Sequence, residues 1–246
     1  MENLMKKTVG SIVAADYRAA SVFEKNGIDF CCKGNTELSK ACESKNIDPE
    51  DVLKQLSAIS EKPARPEEFN KLSLEGLANY IEVNHHRYVR STMPQLQSFL
   101  EKLCNVHGLR HPELKQIKEL FDDGVSKLTA HMKKEEFILF PYIRKLEEAK
   151  KNGTNPGQPP FGSVQSPIQV MELEHETEGD RFNEIRSITG SYATPQDACT
   201  TYKITYLMLK EFEEDLHIHI HLENNILFPR AIELEKRVFN GSDYQA

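Results

Sequence analysis

Two segments of the chain carry the same arrangement of potential metal ligands. His131-Met-Lys-Lys-Glu135 is followed by Phe140-Pro141, and 88 residues further on His219-Ile-His-Leu-Glu223 is followed by Phe228-Pro229. A further histidine precedes each copy at nearly equal distance, His86 lying 45 residues before His131 and His175 lying 44 before His219. This is an internal repeat. A His and a Glu four apart project from one face of a helix, one turn from each other, so each pair can offer an imidazole and a carboxylate to one point. Two such pairs facing each other in a bundle, with the two preceding histidines, supply four imidazoles and two carboxylates. That is the composition of a dinuclear metal site.

The helices that carry these side chains decide whether they point inward. Hydrophobic spacing predicts four long helices, at about 73–106, 111–151, 167–189 and 195–239, with Pro94 kinking the first and the Gly- and Pro-rich stretch 151–167 crossing between the halves. In the last helix Thr205, Leu209, Phe212, Leu216, His219, Glu223 and Ile226 follow one another in steps of four and three, so His219 and Glu223 occupy the core seam. The second helix places His131 and Glu135 on a stripe with Leu114, Ile117, Phe121, Leu128, Ile138, Tyr142 and Leu146. His86 falls with Val83, Val89, Met93 and Leu96, and His175 with Ile168, Met171, Phe182 and Ile185. His85 shares a mixed face with Ile81, Tyr88 and Thr92, which favours His86 as the ligand and leaves His85 beside the site or at its boundary.

A single histidine on an apolar face is usually an ordinary core residue. Glu135 and Glu223 are different: in mid-seam, with no Arg or Lys at a core position one turn away, each would cost on the order of several kcal/mol as an uncompensated buried charge. A pair of cations removes that cost. No cysteine shares these stripes, and mixed imidazole and carboxylate donors suit iron, manganese or zinc. The order, His first and Glu one turn later, is hemerythrin-like and differs from the Glu-x-x-His of ferritin-like bundles. Fewer histidines than in an oxygen-carrying hemerythrin leave room for an oxo or hydroxo bridge and for exogenous ligands. His217 and His221 lie about 200° around the helix from His219, which predicts a solvated face. His107 is some 30 Å along its helix from His86, too far to join the site, and His111 reads as a cap.

Residues 1–60 read as a small helical unit. Thr8 caps its first helix, Gly27 ends a helix, Thr36 caps a short one, and Asp48-Pro49 opens another. Cys31 and Cys32 stand at a turn beside helix N-termini with Lys33 adjacent, a setting that lowers a thiol pKa. The competing reading is that Phe30 and one cysteine simply fill a small core. Glu61 to Pro66, with two prolines in a polar run, reads as a linker to the bundle, taken as 67–240.

A net charge of −7 argues against nucleic acid or an anionic membrane as partner. No stretch approaches the roughly 18 apolar residues that span a bilayer, and no secretory leader is evident, so a soluble, cytoplasmic protein is expected. Five cysteines, two of them adjacent, do not form a disulfide framework.

The N-terminal DFCCKG, together with the HHRY, HMKKEE, LEHE and HLENN segments, resembles the bacterial repair-of-iron-centres family (ScdA/YtfE type) over nearly the whole chain. The resemblance implies an all-α, hemerythrin-like up-down four-helix bundle with a small N-terminal helical domain. It makes His86, His131, His175 and His219 terminal ligands of a di-iron centre, Glu135 and Glu223 bridging carboxylates, and Cys31 and Cys32 a thiol pair. It implies repair of iron–sulfur clusters damaged by nitrosative or oxidative stress, by donation of iron, with damaged iron–sulfur proteins as clients and nitric oxide or dioxygen as ligands. A homodimer is compatible with the sequence. Two other functions use the same centre: a di-iron nitric oxide reductase, and a hemerythrin-like sensor of oxygen or nitric oxide.

Overall fold

The computed structural model describes residues 2–60 and 69–240; the predicted linker at 61–66 lies outside the described residues. The protein is all-α. Beyond one isolated bridge between Thr8 and Glu37, no strand occurs among the described residues. The helices are α1 (Glu2–Met5), α2 (Val9–Ala15), α3 (Ala19–Lys25), α4 (Leu38–Ser44), α5 (Pro49–Ser60), α6 (Leu74–Tyr80), α7 (Arg87–His107), α8 (Glu113–Lys134), α9 (Phe140–Asn152), α10 (Gln165–Ile188), α11 (Thr200–Leu222) and α12 (Phe228–Asn240). Three joins, between α6 and α7, α8 and α9, and α11 and α12, are π-helical: Ile81–His86, Glu135–Leu139 and Glu223–Leu227. The four predicted long helices are thus α6–α7, α8–α9, α10 and α11–α12. The third begins two residues earlier than expected, with Pro167 in its first turn, where a missing N–H costs nothing. The first runs through Pro94.

The π turns explain the Phe-Pro of the repeat. Phe140 and Phe228 donate their N–H to the carbonyls of Glu135 and Glu223, five residues back. The following proline has no N–H to hold the ordinary ladder, so the bonding shifts by one residue there. An added residue turns the later side chains by about 100°. Two stripe positions are corrected as a result: Val83 is 60% exposed and Ile138 47% exposed. Leu139 and Phe140 are buried in their place.

Residue contacts group the chain into two compact units. One comprises Asn79–Ile143 and Gln158–Leu216. Its core is built from the apolar stripes of four helical segments, with Phe121 edge-on to Phe212 at 5.6 Å and Phe182 stacked on Phe212 at 5.5 Å.

The other comprises Met1–Ala78, Arg144–Gly157 and His217–Ala246. Thr8 Oγ1 caps α2 by accepting from Ser11 N–H at 3.3 Å, and Gly27 ends α3 at φ 63°. Asp48 Oδ1 accepts from Glu50 N–H at 2.9 Å at the start of α5. The cap predicted at Thr36 is corrected: Glu37 precedes α4 and makes no side-chain cap, while the Thr36 carbonyl accepts from Val9 N–H at 2.9 Å. Pairing with the segment before α2 therefore decides this boundary.

Gly10 and Gly34 touch through a 2.8 Å bond from Gly10 N–H to the Gly34 carbonyl, and both face Asn225. A Cβ on Gly10 would stand 2.4 Å from Asn225 Oδ1 and 2.9 Å from the Gly34 carbonyl oxygen. Neither neighbour yields freely: one is backbone, and the other side chain bonds the Phe30 and Cys31 carbonyls. Gly10→Ala is expected to cost about 1–3 kcal/mol by overpacking, read as a lower urea midpoint at unchanged slope.

Candidate metal centre

In the unit formed by Asn79–Ile143 and Gln158–Leu216, four of the six predicted ligands come together. His86 Nε2 lies 3.2 Å from one oxygen of Glu135, and His131 Nε2 lies 3.3 Å from the other. His175 Nε2 is 3.0 Å from His131 Nε2. Two imidazole nitrogens at that separation match neighbouring donors around one ion with bonds of about 2.1 Å. Glu135 and His86 are wholly buried, and His131 and His175 are 3% exposed.

The far nitrogens of two of these imidazoles are held from outside. His86 Nδ1 is 2.7 Å from Glu136 Oε1, and Arg90 donates to both oxygens of Glu136 at 2.6 and 2.7 Å. Burial raises the Glu136 pKa, but the hydrogen bonds from Arg90 and His86 outweigh it and leave the carboxyl below its usual range. His131 Nδ1 is 2.9 Å from Glu174 Oε2, and Lys134 pairs with the other Glu174 oxygen. The bond from His131, with that from Lys134, draws Glu174 down to about 2 against the effect of burial. An anionic partner at Nδ1 places the ring proton there and turns the Nε2 lone pair inward. Glu136 and Glu174 escaped the sequence reading because no local pattern separates them from the many surface glutamates.

In the unit containing His217–Ala246, His219 Nε2 is 3.1 Å from Glu223 Oε1, and both residues are buried. Two groups of four are tight enough to hold an ion each: His86, Glu135, His219 and Glu223, and His131, Glu135, His175 and Glu223, their ligand atoms lying within 4.8 Å of one another. Glu135 and Glu223 occur in both. His85, in the same π turn as His86, belongs to neither group; it is buried, with Nδ1 3.0 Å from Asp215 Oδ1.

The solvated face expected at His217 and His221 is corrected. His221 is 2% exposed, with its ring 5.8 Å from that of Phe30 and Nδ1 3.2 Å from the Asn225 amide nitrogen. Burial draws its pKa down to about 4, so the ring is neutral. His217 lies 6.2 Å from the Phe30 ring, with Nδ1 3.3 Å from Glu24. Asn225 donates to the Phe30 and Cys31 carbonyls at 3.3 and 3.2 Å, and Asn224 to the Cys31 carbonyl at 3.4 Å. The N-terminal helices thus seat on the helix that bears Glu223. The signal was the alternation of Ile218, Ile220 and Leu222 with the histidines, which leaves no wholly polar face.

The sulfurs of Cys31 and Cys32 lie 3.7 Å apart, without a disulfide between them. Asp29 Oδ1 accepts from the Cys31, Cys32 and Lys33 amides at 3.1, 2.9 and 3.3 Å and lies 3.3 Å from Cys31 Sγ. The lowered thiol pKa expected here is corrected for Cys31. Its bond to Cys32 and its own burial push the thiol well above the usual range, and the Asp29 charge adds to this. The donors that would favour a thiolate are taken by Asp29, and α4 starts only at Leu38. Asp29, Cys31 and Cys32 themselves form a third group close enough to hold an ion.

Residues 77–231 match the hemerythrin HHE cation-binding domain, and residues 5–60 match the ScdA_N domain, a domain of unknown function. The chain is 33% identical over 229 residues to the iron-sulfur cluster repair protein YtfE of Yersinia pestis (strain Pestoides F), covering 93% of this chain and 98% of that protein. The protein of the same name from Yersinia pseudotuberculosis serotype O:1b (strain IP 31758) matches to the same extent. The chain belongs to the YtfE family. Its hemerythrin-like domain is a cation-binding domain, and the buried His and Glu residues are chemically fitted to hold the metal. No helix among the described residues is long and apolar enough to cross a membrane.

Proposed function

We propose that the protein holds two iron ions and gives up iron to restore iron–sulfur clusters damaged by nitrosative or oxidative stress. The reading rests on one observation above all: two four-residue groups of hard and borderline donors share both carboxylates, Glu135 and Glu223. Full-length similarity to proteins named for cluster repair, rather than for reduction of nitric oxide or carriage of oxygen, supports the same reading.

Iron bound there would supply a redox-dependent cargo, since imidazole and carboxylate would hold ferrous iron less firmly than ferric iron. The chain's own residues set how firmly. Glu136 and Glu174 fix the orientation of His86 and His131 and raise their basicity, and Arg90 and Lys134 hold those carboxylates in place. Glu135 and Glu223, each facing two ligand groups, carry the charge that a pair of cations balances. Asp29, Cys31 and Cys32 offer two sulfurs and a carboxylate suited to receive iron or pass it to a client protein. With the Cys31 thiol held protonated by its hydrogen bond to Cys32 and by burial, taking up iron there requires loss of its proton.

The test is a repair assay. Iron-loaded, reduced protein is added to a nitric-oxide-damaged [4Fe–4S] enzyme, and recovery of activity is followed with and without a ferrous chelator. Cys31→Ala/Cys32→Ala is expected to slow recovery by about tenfold or more while iron content stays at the parent level. Recovery as fast as the parent's would remove the thiol step, and no recovery with the loaded parent would end the proposal.

A further inference from the structure

At the far end of α7, away in sequence from every ligand above, an exposed cysteine sits against a buried histidine. Cys199 Sγ lies 3.3 Å from His107 Nε2. His107 is only 5% exposed, and its Nδ1 is buried with no hydrogen-bond partner among the described residues. An N–H stranded in the interior is rarer and costlier than a bare lone pair, which assigns the ring proton to Nε2, pointing at the sulfur. The edge of Tyr202 at 5.5 Å keeps the imidazole in that orientation.

Two further features act on the same sulfur. The Cys199 carbonyl accepts from Lys203 N–H at 3.1 Å, so Cys199 immediately precedes the first turn of α11, a helix of 23 residues whose positive end favours an anion. The nearby acids are already matched by cations. Asp197 pairs with His111 Nε2 at 3.0 Å and with Arg110 at 3.2 Å, and Glu113 with His111 Nδ1 at 3.1 Å. His111, expected as a cap, is instead the centre of this ion-pair group; Pro112 occupies the position before α8. A donor aimed at sulfur, a helix N-terminus and solvent access are together the setting of a reactive cysteine.

We propose that Cys199 is a second thiol site, which exchanges with low-molecular-weight disulfides of the glutathione type. The Cys199 thiolate attacks one sulfur of the disulfide; a new S–S bond forms as the old one breaks, and the departing thiolate leaves with the electron pair and takes a proton from water. Three of the other four thiols are less suited. Burial raises the pKa of Cys42 and Cys104, and Cys31 is both buried and bonded to Cys32.

The experiment uses the full-length, iron-loaded, reduced protein mixed with excess dithiodipyridine, with thiopyridone release followed by stopped flow and the modified peptide located by mass spectrometry. The expected result is a single fast phase, at least about tenfold faster than the remaining thiols, absent in Cys199→Ser. His107→Phe, which removes the donor, is expected to slow that phase by about tenfold, and His107→Gln, whose amide N–H reaches the Nε2 position, to retain most of it. Glutathione disulfide should then label the same residue. A fast phase that survives Cys199→Ser overturns the proposal. So does a Cys199 that reacts no faster in the native parent than in the urea-unfolded chain, a comparison that needs no variant to fold.

Discussion

Glu223→Ala is expected to strip the protein of nearly all its iron, whereas His175→Ala is expected to leave about half. The difference follows from membership. Glu135 and Glu223 appear in both four-residue groups, His175 and His131 in only one, and His86 and His219 in only the other. In the proposed two-iron centre, removing a shared carboxylate would take a ligand from both ions and leave four imidazoles with a single negative charge, too little to balance two cations in a buried setting. Removing His175 spares all four members of the other group. Metal analysis after anaerobic loading and desalting checks this, with about two ions expected per parent chain, about one for His175→Ala and well under one for Glu223→Ala or Glu135→Ala. Equal losses in the histidine and glutamate variants would mean that the carboxylates are not shared.

The second large effect is thermal. Stripping iron with dithionite and a ferrous chelator is expected to lower the unfolding midpoint by about 8–16 °C: a ligand present at about a thousand times its dissociation constant stabilises the fold by about 4 kcal/mol, and a chain of this size moves about 2–4 °C per kcal/mol. The physical cause is the pair of fully buried carboxylates, whose charge a pair of cations would offset. Anaerobic calorimetry of the loaded and stripped protein, followed by reloading, makes the measurement. A midpoint that does not move would show that the bundle tolerates Glu135 and Glu223 unaided, and would remove the reason for placing metal there.

Much of this site was legible before any coordinates. The His-x-x-x-Glu repeat is a local pattern: a four-residue spacing puts two side chains on one face of a helix regardless of the rest of the fold, and an apolar stripe says which face is inward. The helix starts at Thr8 and Asp48 followed for the same reason, because such caps act within a few residues, whereas the starts expected at Thr36, His111 and Pro195 lie elsewhere, at Leu38, Glu113 and Thr200. What escaped depended on distant partners. Glu136 and Glu174 became the supports of His86 and His131 only through contacts spanning 50 and 43 residues. Val83 and Ile138 left the stripe because π turns shift the helical phase, and although Phe-Pro was visible, its effect on the ladder was not.

The amino-acid order by itself determined the all-α class and the family and singled out six candidate ligands, since spacing and binary pattern act over one or two helical turns. Only the tertiary structure decided that His217 and His221 lie beneath the N-terminal helices, that Glu136 and Glu174 stand behind His86 and His131, and that Cys31 holds its proton while Cys199 meets a buried imidazole. Each of these depends on which groups crowd a side chain from other parts of the chain. Desolvation and hydrogen-bond competition, unlike helical periodicity, have no signature in a local stretch of residues.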